Sequence, residues 1–587
     1  MRDSQVSKVV VLLLNEHPRG ATLINRLEVT VVLSHDVLVI GAGLAGMRAA
    51  LEARRKGVDV AVLSKVHPVR SHSTQAQGGI NAALSEDDSW EKHSFDTVKG
   101  SDYLGDQDSI EIFCKEAPGD IIELEHMGTV FSRVEDGRIA QRPFGGAAFP
   151  RTCYVADITG QVLLHVLYEQ LLQAGVRVYE EWFVTSLIIE DGACRGALAM
   201  EIRSGELQAF GAKVVLMATG GLGRVYEPST NSLISTGDGQ ALAYRAGADL
   251  MDMEFVQFHP TALRNGILVT EGARGEGAYL LNSKGDRFME KYAPKMMELA
   301  SRDVVSRAEQ TEIDEGRGVD GFILLDLRHL GREKILERLP QIHELALDIA
   351  GVDAIDEPIP IRPSMHYAMG GIKTDVNGAS LLPGLYAAGE CACITVHGAN
   401  RLGGNSLLET VVFGRRAGAA AVEYAASISP ANVSEAMVSR EGDRIKTVLE
   451  RSDGGDSVAR IRMEMGQTMN QYVGMFRIEE GLQTVVAKLA ELKERYKRVG
   501  VQDRSRVFNT SLLFHLELGN MLDLAEAIVL AASHRKESRG AQFRRDFPQR
   551  DDEEWLKHIL VRYTPEGPSL DYSPVTITRW QPERRVY

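Results

Sequence analysis

Four stretches of the sequence concentrate histidine, arginine, threonine and glutamate, three of them among glycines. They are Phe258-His259-Pro260-Thr261, Val269-Thr270-Glu271-Gly272-Ala273-Arg274-Gly275-Glu276-Gly277, Met365-His366-Tyr367-Ala368-Met369-Gly370-Gly371 and His397-Gly398-Ala399-Asn400-Arg401-Leu402-Gly403-Gly404-Asn405-Ser406-Leu407. Ser301-Arg302-Asp303-Val304-Val305 lies between the second and the third. Taken singly, each His or Arg reads as a surface group or a hydrogen-bonded core group. Glycine lets backbone come close to a ligand, and its repeated company with these side chains favours a ligand site. Two arginines and two histidines suit a small dianion: a guanidinium fork grips a carboxylate bidentately, and imidazoles and hydroxyls complete its lone pairs.

The elements that must position this set begin near the N-terminus. Val37 to Ile40 is a run of apolar, β-favouring residues that breaks at Gly41 into Gly41-Ala42-Gly43-Leu44-Ala45-Gly46. Met47 to Arg55 has helix-forming composition, Gly57 fits a helix stop, and Val58 to Leu63 reads as the next strand. A Gly-x-Gly-x-x-Gly turn in that setting closes on a pyrophosphate whose charge sits at a helix N-terminus. An acidic residue is expected at the tip of the second strand to hold a ribose, and Ser64-Lys65 stands there instead. That weakens an ordinary NAD site and favours FAD, or a variant ribose contact.

Further along, Val214 to Met217 reads as another buried strand ending in Ala218-Thr219-Gly220-Gly221-Leu222-Gly223, and Ser235-Thr236-Gly237-Asp238-Gly239 opens a helix from Gln240 to Arg245. These glycines and the Asp at a helix start suit close cofactor approach and plain turn chemistry equally. Leu385 to Glu390 reads as the final strand-turn of a nucleotide-binding unit, and Ser406 to Ala420 as a helix. Beyond Ser434 the character changes. Leu482, Val485, Val486, Leu489 and Leu492 keep helical spacing, as do Leu518, Met521, Leu522, Ala525 and Ile528. A helical bundle is expected there, with its apolar stripes as core.

A chain of 587 residues, 44% hydrophobic and 25% charged, predicts three or four domains with ample core. The net charge of −15 and the lack of a basic cluster argue against nucleic acid. Cys114, Cys153, Cys194, Cys391 and Cys393 form no Cys-x-x-Cys, so a reducing compartment is expected, with no disulfide frame and no metal. No apolar run is long enough to span a bilayer. Residues 1–34 carry no motif and fit an extra strand, a tail or a start placed too far upstream. They lack a signal-peptide core and a transit-peptide pattern, which points to a prokaryotic setting.

The loop after the second strand is His67-Pro68-Val69-Arg70-Ser71-His72-Ser73-Thr74-Gln75-Ala76-Gln77-Gly78-Gly79-Ile80. Its Arg-Ser-His-Ser and Ala-Gln-Gly-Gly-Ile-Asn-Ala-Ala blocks resemble the flavin-attachment segment of the succinate dehydrogenase and fumarate reductase flavoprotein subunits. Glu123 to His126, Asp96 to Asp102 and Arg142 to Gly146 agree, and the resemblance runs from about Val37 to His558. It implies an α/β fold: a Rossmann-like FAD-binding domain (35–253 and 367–433) with an inserted α+β capping domain (254–366). A C-terminal helical domain (434–550) and an extended arm (551–587) would follow, with 1–34 as an extension.

In that family the segment's histidine carries FAD covalently, which assigns the role to His72. The resemblance also puts FAD contacts at Gly41, Ala42, Gly43, Leu44, Ala45, Gly46, Ser64, Lys65, Ser71, Gln77, Gly78, Gly79, Asp238, Glu390, Ser406 and Leu407. It makes His259 and Thr270 the ligands of one substrate carboxylate, and His366 and Arg401 those of the other. Arg302 would exchange a proton with the substrate carbon, and Glu271 and Arg274 would relay it to solvent. An arginine with a pKa above ~12 serves as acid or base only in a crowded, dry, cationic site with a carboxylate beside it. Glu271 would be that carboxylate.

The implied activity is succinate oxidation to fumarate, with electrons passed to an iron-sulfur subunit and, through membrane anchor subunits, to quinone. The expected location is peripheral, on the cytoplasmic face of a prokaryotic plasma membrane. Fumarate reduction by the same site is the near alternative. L-aspartate oxidase is a more distant one, against which His72 argues, and a non-catalytic flavin-binding scaffold would not need Arg302, Glu271 and Arg401 together. Gln161 and Gln542 stand where the family often has histidine. Arg535 to Ala541 and Phe547 to Asp552 resemble its C-terminal block, expected either near the docking surface for the iron-sulfur subunit or as a solvated charged face.

Overall fold

The computed structural model describes residues 32–430, 433–452 and 455–585. The reading of residues 1–34 therefore falls almost wholly outside the described residues.

The first strand, Val32–Ile40, starts five residues before the expected run and lies between Val60–Ser64 and Leu207–Met217, parallel to both. Arg177–Glu180 extends this parallel set at one edge. At the other side the eleven-residue strand Leu207–Met217 has two neighbours. Its lower half pairs antiparallel with Ala193–Glu201, and its upper end pairs parallel with Leu385–Ala387. Val37, Leu38 and Val39 are wholly buried because both faces of the sheet are covered, which is why these residues are continuously apolar rather than alternating. The strand ends at Gly41, Ser64, Ala218 and Ala388 open onto one cleft. That is where an open parallel sheet binds its ligand.

The glycine turn is dictated by space. Gly41 has φ +110°, and a Cβ there would lie 2.2 Å from the Ala218 carbonyl oxygen; one on Gly46 would lie 1.9 Å from the Gly41 oxygen. The helix that follows spans Leu44–Arg55, three residues earlier than composition suggested, and packs against Asn405–Ala425.

Residues 256–368 contribute a four-stranded antiparallel sheet in the order Val256–Ala262, Ile359–Ala368, Ile323–Asp326, Tyr279–Leu281. It has its own apolar core, including Leu280, Ile323, Leu325, Ile359 and Ile361, separate from the core around the parallel sheet. Glu435–Glu450, Val458–Tyr472, Glu479–Tyr496 and Thr510–His534 are helices, with the apolar stripe of the third packed on the fourth. Leu482, Val485, Leu489 and Leu492 are buried, whereas Val486, expected in that stripe, is 46% exposed. Thr510–His534 is buried on nearly every side and is the helix the others surround.

Two expectations for the C-terminus are corrected. Residues 551–587 are not simply an extended arm: Lys557–Arg562 and Ser569–Pro574 form a hairpin that adds to the strand Leu250–Met251. The second, a solvated charged face, fails at Arg535, Glu537 and Arg539. Their side chains are fully buried and paired: Arg535 with Glu254 and Glu537, Arg539 with Glu537 and Asp552. Gln542 is buried as well.

His558, on that hairpin, places Nδ1 2.7 Å from Asp252 and Nε2 3.5 Å from Asp106. Burial alone would lower the imidazole pKa, but the two carboxylates outweigh it and push the value up to about 10. Folding therefore takes up a proton between the unfolded value near 6.5 and the folded value. The stabilisation is complete below the first and fades as pH rises through the second. Replacing His558 by Asn is expected to lower the thermal midpoint most at pH 6, with the difference from the parent closing as pH approaches 10. A pH-independent difference would reject the charged imidazole.

Candidate active site

One cleft lies outside the strand ends, and it is partly open to solvent. Gly41, Ala42, Gly43, Leu44 and Ala45 form its floor, with Ser64, Lys65 and Asp238 near one end. Ser71, His72, Gln77, Gly78 and Gly79 come from the loop, and Glu390, Ser406 and Leu407 from the later segments. His259, Thr270, Glu271, Arg302, His366 and Arg401 line the same cleft. Two residues of the expected set stand back from it: Gly46 supports the turn, and Arg274 is buried behind Glu271.

Lys65 replaces the acid expected at the strand tip, and the acid arrives from elsewhere. Its ammonium lies 2.7 Å from both Asp238 and Glu517. Burial would lower its pKa, yet the two carboxylates hold it above the usual lysine range. Glu517 was not foreseen, because it sits on the helix Thr510–His534, read from sequence only as core.

His72 is half-buried, and its Nδ1 accepts the backbone N–H of Ser232 at 3.2 Å and meets the Ser232 hydroxyl at 2.9 Å. Burial, assisted by Arg224, lowers its pKa to about 4. The ring is therefore neutral at physiological pH, with Nε2 as the nitrogen not engaged by Ser232. Burial likewise raises the Glu390 carboxyl to about 8.

At the other end of the cleft the side chains converge. Arg302 opens the helix Arg302–Asp314. Its Nε and Nη2 lie 2.7 and 2.6 Å from the same Glu271 oxygen, while Nη1 donates to Gln257 Oε1 at 3.1 Å. The other Glu271 oxygen accepts the Gly145 N–H at 3.0 Å and lies 3.4 Å from Arg274. Burial would raise the Glu271 carboxyl, but Arg302 and Arg274 outweigh it and keep it below the usual range. Burial lowers Arg302, against the pull of Glu271.

His259 and His366 reach the cleft from adjacent strands, with ring centroids 4.8 Å apart. Tyr367 pairs with Gln257, and Met365 with Phe258, so His366 is the unmatched residue of a β-bulge. Such an extra residue bends the strand and re-aims its side chain. His259 Nδ1 accepts the Thr261 N–H at 3.1 Å, which leaves Nε2 as the protonated nitrogen. Burial first, then the charge of Arg302, holds both histidines well below the usual imidazole range. They are neutral donors. Thr270 Oγ1 accepts the Gly272 N–H at 3.1 Å, leaving its O–H to donate.

Arg401 is 2% exposed, and among the described residues no carboxylate forms an ion pair with it. Its Nε has no partner, and Nη1 makes only a 3.4 Å bond to the Leu402 carbonyl. Burial, then Arg302, lowers its pKa to about 9, so it still carries charge at neutral pH. Among the described residues Glu271 is the carboxylate that ion-pairs with Arg302 and Arg274, and Arg401 ion-pairs with none, so the site is rich in positive charge. A dianion is the complement.

Gln257 is the residue the sequence reading missed at this end. Besides holding Arg302, its amide donates to the Arg401 carbonyl at 2.8 Å and to Asn400 at 2.9 Å, so it fixes both arginines. The available signal was its position two residues before His259 on one strand, where alternation puts both on one face.

Among the described residues no His, Cys, Asp or Glu cluster suits a metal ion, and no helix is long and apolar enough to cross a membrane.

Comparison with known proteins decides the family. Residues 36–407 match the FAD binding domain family, and residues 462–587 match the fumarate reductase flavoprotein C-terminal family. The chain is 47% identical over 585 residues to the succinate dehydrogenase flavoprotein subunit of Rickettsia conorii, covering 94% of this chain and 98% of that one. This chain belongs to the succinate dehydrogenase/fumarate reductase flavoprotein family. It is equally 47% identical, over 577 residues, to a fumarate reductase flavoprotein subunit of Mycobacterium tuberculosis, covering 94% and 99% of the two chains. A solved quinol fumarate reductase of E. coli superposes with a TM-score of 0.92 at 44% identity, covering 95% of this chain and 99% of that one. As a succinate dehydrogenase/fumarate reductase flavoprotein, the chain is an FAD-dependent oxidoreductase with the expected α/β fold and helical C-terminal region. The cleft fits that cofactor by its glycine floor and its position at the strand ends.

Proposed function

We propose that this chain oxidises succinate to fumarate. The observation that carries the reading is Arg401, a buried guanidinium without an anion, facing neutral histidines beside the Arg302–Glu271 pair. His259 and Thr270 donate to one carboxylate of the substrate, and His366 and Arg401 to the other. This leaves the central carbons between them near Arg302. Arg302, having given its own proton to Glu271, takes a proton from one methylene. Glu271, in contact with two of its nitrogens, and then Arg274, whose Nη1 donates to the Glu298 carbonyl at 2.5 Å, pass it on. FAD, when bound, supplies the acceptor for the hydride that leaves the neighbouring carbon. The protein's part is alignment, dehydration and proton transfer.

The FAD contacts we assign are those of the glycine turn and loop, with Lys65, Asp238, Glu390, Ser406 and Leu407. His72 is the attachment residue: its imidazole is neutral, as a nucleophile requires, and Ser232 engages Nδ1 and leaves Nε2 for the bond. We read 254–366 as a cap that carries His259, Thr270 and His366 over the FAD-binding portions 35–253 and 367–433, the second of which supplies Arg401. Electrons leave to an iron-sulfur subunit, and membrane anchor subunits bring quinone within reach at the cytoplasmic face of a plasma membrane. The likeness to a quinol fumarate reductase supports such partners. Fumarate reduction uses the same residues in reverse, and relatives of both names match equally well.

The purified complex is expected to reduce a dye with succinate and to keep its flavin fluorescence on the chain after acid precipitation and gel electrophoresis. His72→Ala is expected to release the flavin into the supernatant. Flavin lost from the unsubstituted chain would reject the linkage, and absence of succinate turnover in flavin-loaded complex would reject the activity.

A further inference from the structure

Arg401 lacks the hydrogen bonds that would fix its direction, so something else must hold the guanidinium plane. Its central carbon lies 4.5 Å from the centroid of the Tyr367 ring. The Tyr367 hydroxyl donates to Glu409 Oε2 at 2.5 Å, and His397 Nε2 lies 3.0 Å from the same oxygen. Tyr367, His397 and Glu409 are all buried. Glu409 belongs to the helix Asn405–Ala425, whose first residues, Ser406 and Leu407, line the cleft. None of these three entered the sequence reading as a site residue.

We propose that Tyr367, anchored through its hydroxyl to the Glu409–His397 pair, is the positioning residue for Arg401 and sets how well the site tells a dicarboxylate from its mono-amide. A guanidinium is attracted to the negative face of an aromatic ring, more strongly where water is excluded. A phenol that donates to a carboxylate carries more electron density in its ring than a free one, and burial and Glu409 both hold the Tyr367 hydroxyl in its protonated, donating form. Glu409 thus acts on Arg401 at one remove: it fixes the ring and sharpens the charge that the ring presents. The hydrogen-bonded chain also ties the substrate-binding arginine to the helix at the cofactor end of the cleft.

This inference rests on the reading of Arg401 as a carboxylate ligand, and the test separates the two. In the flavin-loaded complex with its partner subunits, succinate turnover would be measured alongside competitive inhibition by a dicarboxylate and by its mono-amide. Tyr367→Leu, Tyr367→Phe and Glu409→Gln would be compared. Tyr367→Leu is expected to raise the succinate KM by about 3- to 30-fold, the span of a desolvated cation–π contact, with kcat within about threefold. The ratio of mono-amide to dicarboxylate inhibition constants should shrink in all three variants, because the charge lost in the amide matters less once Arg401 is loose. General damage would weaken both inhibitors together and leave the ratio fixed. That outcome, or a fall in kcat with KM unmoved, overturns the proposal. If Tyr367→Leu fails to load flavin, Tyr367→Phe and Glu409→Gln decide alone. Arg401→Ala serves as the control. If it leaves KM and the ratio unchanged, the site reading itself fails; if only Arg401→Ala shifts them, this inference alone fails.

Discussion

Replacing Arg302 by alanine is expected to lower succinate turnover by about 10³–10⁴-fold, the range lost with a positioned acid–base group, while the chain keeps its flavin. The geometry explains why one residue carries so much. Three nitrogens of Arg302 are fixed, two by one oxygen of Glu271 and one by Gln257, so the guanidinium has a single orientation. It is buried beside two further arginines, and burial already disfavours its charged form. Giving up a proton to Glu271 is then less costly than for an arginine in water, and the neutral guanidine that results can take the proton of the substrate. Arg302→Lys is expected to fail almost as badly, because a lysine cannot make the same three contacts. Dicarboxylate binding, followed through the flavin absorbance, should persist in Arg302→Ala, since Arg401, His259, His366 and Thr270 remain. A loss below about tenfold would take Arg302 out of the proton transfer, as general acid–base catalysis contributes more than that.

What the sequence made legible follows from the range over which each signal acts. The glycine turn is local: strand, turn and helix are contiguous, and the steric demand at Gly41 and Gly46 is met within the turn and by one neighbouring strand end. The residues of the dianion site were legible as types because they stand in short polar stretches, most of them rich in glycine. Their grouping was not. His366 is aimed by a bulge whose existence depends on a strand about a hundred residues earlier. Gln257 carries no chemical signature of its own and matters only because both arginines come to it. Glu517 reaches Lys65 across 452 residues of sequence. No periodicity marks it, for on a helix buried all round a glutamate looks like an interruption of core. The segment after Arg535 misled for the same reason. A run of alternating charge reads as solvated when its partners are out of sight.

Those hidden partners make the second large prediction one of stability. Arg535→Ala is expected to cost about 3–5 kcal/mol, the penalty for removing one partner of a buried ion pair. Arg535 donates to Glu254 at 2.6 Å and Glu537 at 2.9 Å, and to the backbone carbonyls of Trp555 and Lys557 at 2.9 and 2.7 Å. Glu537 retains Arg539 when Arg535 is gone. Glu254 keeps no such cation: among the described residues Arg535 is its ion-pair partner, and the two are 281 residues apart in sequence. Burial already raises the Glu254 carboxyl even with Arg535 beside it. Without Arg535 the carboxyl must take a proton or stay charged in a dry interior. Its folded pKa then rises further above the unfolded value. The variant is therefore most nearly stable at low pH and loses ground as pH increases, so its gap from the parent should widen between pH 5 and pH 8 in urea titrations. Adding Glu254→Gln should recover part of the loss, because the orphaned charge is removed with its partner, and the two changes will not add. The consequence reaches the chemistry by position. Glu254 directly precedes the strand Val256–Ala262, which carries Gln257 and His259, and its carbonyl accepts from Arg477 at 2.8 Å. A loosened Glu254 should thus weaken dicarboxylate binding before the chain unfolds. A pH-independent gap, or strictly additive losses in the double variant, would refute the buried pair as the source of that stability.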